Sequence, residues 1–67
     1  MHIYEIVDRN GKVVEHVRAN TEKQALCIYI ANHAELVDVM LWYSNSNMWK
    51  LAEYDDEENF MFARRFA

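Results

Sequence analysis

The chain has no proline, one glycine and one cysteine in 67 residues, and its seven Lys and Arg are outnumbered by eleven Asp and Glu. Each shortage closes off a class of protein. With Cys27 alone, no disulfide can form within the chain, and a lone thiol suits a reducing compartment. Cys27, His2, His16 and His33 show no CxxC or HxxxH spacing, so a zinc site would need scattered ligands to converge. One glycine leaves no phosphate-cradling loop, which argues against nucleotide-dependent chemistry. A formal net charge of −4 removes the field behind most non-specific affinity for nucleic acid. Without proline or a Gly/Ser-rich stretch there is no sign of a linker or tail, and residues 1–67 read as one domain. No apolar run approaches the ~20 residues that span a bilayer, and no leader with a basic start and a small-residue cleavage site opens the sequence. A cytoplasmic protein with no membrane contact is expected.

Apolar side chains are plentiful: 52% of residues are hydrophobic, among them Trp42, Trp49, four tyrosines and three phenylalanines. That content is too high for a disordered chain. A domain of this length nevertheless buries only ~60% of its unfolded surface. With neither disulfide nor zinc available, self-association is the remaining way to add buried area, and a homodimer is expected.

The first nineteen residues read as a β-hairpin, with His2–Val7 and Lys12–Ala19 flanking Asp8-Arg9-Asn10-Gly11. Asp8 and Gly11 suit a type I turn closed by a bulge at Gly11, which sets Ile3 opposite Val17, Glu5 opposite Glu15 and Val7 opposite Val13. A two-residue turn at Asn10-Gly11 instead sets Glu5 opposite His16 and Ile3 opposite Arg18, relieving the facing carboxylates. Turn chemistry favours the bulge.

Thr21 and Gln24 form a capping-box pair that opens a helix over about residues 21–33. Ala25, Leu26, Tyr29, Ile30 and His33 share the face that would pack on the hairpin. Cys27, Ile28 and Ala31 make its back apolar as well, which marks them as candidate self-association residues. Cys27, mid-helix and far from the N-terminus that would activate a thiol, reads as structural. Residues 34–43 alternate as a strand buried on both faces, although Leu36, Val37, Met40 and Leu41 also fit a continued helix. Ser44–Asn47 is then a turn and Met48–Tyr54 the returning strand. For residues 59–66, acid before and base after suit a helix dipole. A helix would hold Phe60 and Phe62 about 200° apart, whereas a strand gathers Phe60, Phe62 and Phe66 on one face. The strand is preferred.

The expected fold is therefore α+β, in the order ββαββ with a further strand, one amphipathic helix lying on an antiparallel sheet. Its core would draw on Ile3, Val7, Val17, Leu26, Tyr29, Ile30, Leu41, Trp49 and Leu51. Glu5, Glu15 and His16 could gather on the first hairpin, but neighbouring polar groups on a solvated face arise without catalysis. Ser44 and Ser46 lack a nucleophile-elbow context. No enzyme activity, cofactor or metal is expected.

Glu53, Asp55, Asp56, Glu57 and Glu58 are the most distinctive surface feature. Such a run, if not merely a solvated loop, suits a basic surface on another protein, and it lacks the ligand alternation and central Gly of a calcium loop. The expected function is a small acidic interaction protein. Small acidic inhibitors of nucleic-acid-handling systems from phages and mobile elements, anti-CRISPR proteins among them, have such composition; no motif here marks a family. A self-associating adaptor is one alternative. An aromatic platform for single-stranded nucleic acid is another, with Trp42, Tyr43, Trp49, Tyr54 and Phe62 as its surface, against which the net charge argues.

Overall fold

The computed structural model describes residues 1–67 as five strands and one helix: β1 (His2–Val7), β2 (Val13–Ala19), α1 (Glu22–Ala31), β3 (Val39–Tyr43), β4 (Trp49–Glu53) and β5 (Asp56–Arg65). All neighbours are antiparallel, in the order β2-β1-β5-β4-β3. The last strand thus fills the centre, joining the β1–β2 hairpin to the β3–β4 hairpin. β2 and β3 are the two edges, so α1 and residues 32–38 carry the chain from one edge of the sheet to the other.

The first turn combines both registers open to the sequence. Gly11 N–H donates to the Asp8 carbonyl at 3.0 Å and Asp8 N–H to the Lys12 carbonyl at 2.9 Å. With Gly11 at φ +82°, this is the bulge-closed turn, and it pairs Val7 with Val13. A second irregularity follows at once, where Val14 is the extra residue between Val13 and Glu15. Beyond it Glu5 faces His16 and Ile3 faces Arg18, the pairing expected of the shorter turn. Two facing carboxylates are thereby avoided.

That shift decides which side of the hairpin is core. Tyr4, Ile6, Val17 and Ala19 join Ala25, Leu26, Leu51 and Ala63 in one buried cluster, with Tyr29, Ile30, Leu41 and Trp49 packed against it. The expected Ile3 and Val7 lie on the opposite side of β1, because the pleat alternates and the regular pairs Ile6–Ala63 and Val7–Phe62 run on into β5; Val7 is fully buried there, as expected of a core residue, whereas Ile3 is only half-buried. Ile28, expected on the solvated back of the helix, also packs against the cluster, whereas Cys27 and Ala31 are exposed. The helix is short and weakly sided: only Ala25 and Leu26 are fully buried. Thr21 caps it, its Oγ1 accepting from Gln24 N–H at 3.1 Å, and the Gln24 side chain accepts in return from Asn20 N–H at 2.6 Å.

Residues 34–38 are neither strand nor helix, and the strand expected over 34–43 is confined to Val39–Tyr43. The Ser44–Met48 connection repeats the first turn: Asn47 N–H donates to the Ser44 carbonyl, Ser44 N–H to that of Met48, and Asn47 sits at φ +60°. The last segment is a strand, longer than expected. The turn itself is Tyr54-Asp55, and Asp56, Glu57 and Glu58 belong to β5.

Candidate functional site

Each acidic position takes a different place. Glu53 closes β4 and Asp56 opens β5, facing each other across the Tyr54-Asp55 turn. Further along, Leu51 faces Met61, so between these two pairs Ala52 stands opposite residues 57–60. The slack in β5 opens a cleft of about 370 Å³ on the helix side of the sheet. Leu51 and Met61 form part of its apolar lining, with Leu36 from the connection after the helix and Val39 from the start of β3. Because Val7 pairs with Phe62, the first hairpin turn lies alongside and adds Asp8 and Arg9 to the rim. Asp55, Glu57 and Glu58 are exposed and stand outside the lining.

The rim thus brings Asp8, Glu53 and Asp56 around an apolar lining, against the one cation Arg9. Asp8 is held rigidly, its Oδ1 accepting from the N–H groups of Asn10 and Lys12, both at 2.9 Å. None of the three carboxylates belongs to an ion pair; the pairs present are His33–Glu15, His33–Glu35 and Arg64–Glu5. A site of this kind offers no nucleophile with an adjacent base. It suits a side chain with an aliphatic stem and a cationic head, the stem against Leu51 and Met61 and the head among the carboxylates. No group of three or more His, Cys, Asp or Glu side chains is gathered in metal-binding geometry.

The pairing of Glu5 with His16 separates both from Glu15, which lies on the helix side and meets His33 instead. Glu15 Oε1 is 2.8 Å from His33 Nε2, and Glu35 Oε1 is 3.0 Å from Nδ1. Ionised carboxylates only accept, so making both contacts at once favours the doubly protonated ring. The hydrogen bond to Glu15, then that to Glu35, holds the imidazole pKa above its usual 6.5. Tyr29 stacks on the ring with centroids 4.2 Å apart. Burial first, then the two carboxylates, raises its own pKa. The cluster is a clasp between the end of α1 and β2. The helix expected over 21–33 aims His33 at the hairpin side, but α1 ends at Ala31 with Asn32 as its cap, so His33 and Glu35 both lie beyond it.

No helix covers the opposite side of the sheet, although Val7 and Ala52 are buried there and Trp42, Phe60 and Phe62 are half-buried. Alternation places Ile3, Glu5 and Val7 of β1 there, with His16 and Arg18 of β2, Phe60, Phe62 and Arg64 of β5, Lys50 and Ala52 of β4, and Met40 and Trp42 of β3. Lys50 Nζ stands 4.1 Å from the Phe60 ring centre, and Phe60 and Phe62 are 6.4 Å apart. Of the expected aromatic platform, Trp42 and Phe62 lie here. Tyr43 and Trp49 pair on the helix side, and Tyr54 is in a turn. No helix is long and apolar enough to cross a membrane. Comparison with protein-family models, curated proteins and solved structures finds no match to this chain.

Proposed function

We propose that this is a non-enzymatic interaction protein that seats a Lys or Arg side chain of another protein in the acid-rimmed cleft. The observation that carries the reading is the coincidence of a 370 Å³ concavity, an apolar lining and three carboxylates that form no ion pair, with Arg9 the one cation on the rim. The exposed Asp55, Glu57 and Glu58 beside it extend the negative field and steer a basic surface toward the cleft. An inhibitor or regulator of a nucleic-acid-handling protein would act in this way, by occupying the basic surface meant for phosphates. Phage and mobile-element inhibitors are the class this reading falls in.

A Lys-rich unstructured peptide is a suitable probe, its binding followed by fluorescence anisotropy. Two exposed charge contacts at about 0.5–1 kcal/mol each correspond to roughly tenfold in affinity. Glu53→Gln with Asp56→Gln should therefore weaken binding about tenfold, while Glu57→Gln with Glu58→Gln, the same change in net charge outside the cleft, should do much less. Equal losses in both double variants would reduce the interaction to undirected charge attraction and remove the cleft from it.

A further inference from the structure

We propose that the open face of the sheet is a two-fold interface with a second copy of this chain. Of eight residues in the buried cluster, three are alanine, and none of the three phenylalanines nor Trp42 belongs to it. Much of the aromatic surface has been placed on the side that no helix covers. Trp42, Phe60 and Phe62 are half-buried there, and in a small domain with no disulfide and little stability to spare, burying what they still expose would add a further favourable contribution.

Composition distinguishes this face from the rest of the molecule. Along Ile3–Val7, Lys50–Ala52 and Phe60–Arg64 it holds one carboxylate, Glu5, out of eleven in the chain. Aromatic, Met and Arg side chains take their place, with Trp42, Phe60, Phe62, Met40, Arg18 and Arg64 all present. Interface cores are enriched in those types and depleted in Asp, Glu and Lys. Glu5 and Arg64 lie 3.6 Å apart at the centre, so both signs are available to a contact in which each copy presents the same patch.

The molecule measures 32 × 28 × 19 Å, so about 900 Å² is the upper limit for the area of its broadest side. A stable interface needs about 800 Å² per partner. Two such sheets packed face to face, ~10 Å apart, form a sandwich with the helices outermost. The acidic cleft lies on the helix side and stays accessible in that arrangement.

Light scattering and sedimentation between 1 and 100 µM test the proposal. The expected mass is twice that of the chain, falling to the monomer for Trp42→Lys and for Phe62→Ser with the far-ultraviolet circular dichroism of each retained. Trp42 lies on the edge strand and Phe62 at the centre, so a folding failure in one leaves the other to report. Cys27→Arg and Ala31→Arg, on the back of the helix, should leave the dimer intact. A folded wild-type monomer at 100 µM would overturn the proposal, as would a dimer broken by the helix variants and untouched by the face variants. Quenching of Trp42 in a monomer by a twelve-residue oligothymidylate would overturn it in favour of a single-strand platform.

Discussion

The fold changes the ionisation of His33 in a way that reaches stability. Its pKa is raised by the hydrogen bonds to Glu15 and Glu35, so the folded state holds the proton more tightly than the unfolded chain does. The stabilisation is complete below pH 6.5, while both carboxylates remain ionised, and is lost as pH rises through the folded value. Thermal melts from pH 6 into the alkaline range should therefore show the wild type losing stability along a slope that His33→Gln lacks. Parallel curves for the two proteins would mean that the clasp does not couple protonation to folding. Half of this clasp was readable beforehand. The helical period aims His33 at the hairpin, but Glu15 becomes its partner only because the bulge at Val14 turns that carboxylate to the helix side.

At the scale of elements, the two long turns show how far local chemistry reaches. Asp8–Lys12 and Ser44–Met48 have the same hydrogen bonds, and both need a left-handed residue at the fourth position, supplied by Gly11 and by Asn47. Gly11→Ala meets no atom within 4 Å of the added carbon, so its cost is purely that of the backbone. It should destabilise the protein by about 1–2 kcal/mol in urea titration, and Gly11→Asn by less; an unchanged midpoint for the alanine variant would contradict the turn geometry. Turn type did not decide register, because a second bulge two residues later restores the other pairing. The helix shows the same division. Its start follows from Thr21 and Gln24. Its end at Asn32 has no glycine or proline behind it and reflects the chain leaving to cross to the far edge of the sheet.

For the whole molecule, charge and apolar surface are sorted onto different sides. The helix side carries the carboxylate rim around the cleft, while the open side carries Trp42, Phe60 and Phe62 with Arg18, Lys50 and Arg64. If the open sides pair, stability becomes inseparable from association, and the melting temperature of the wild type should rise with protein concentration. Trp42→Lys should flatten that dependence. A dimer would also present two clefts on its outer surfaces, so a partner with two basic segments gains affinity through effective concentration rather than new contacts.

The α+β class, the turn residues, the helix start and the strand character of the last segment were determined by the sequence alone, because each depends on neighbours within a few positions. Tertiary structure decided the rest. It placed β5 between β1 and β4, put Tyr4 and Ile6 on the helix side with Ile3 and Val7 opposite, and split the acidic run so that Glu53 and Asp56 line one cleft with Asp8. The physical reason is the period of two along a strand: one extra residue, Val14, reverses which side chains face the helix, and no local signal announces it. A cleft lined by residue 8 together with residues 53 and 56 exists only once the last strand has closed the sheet.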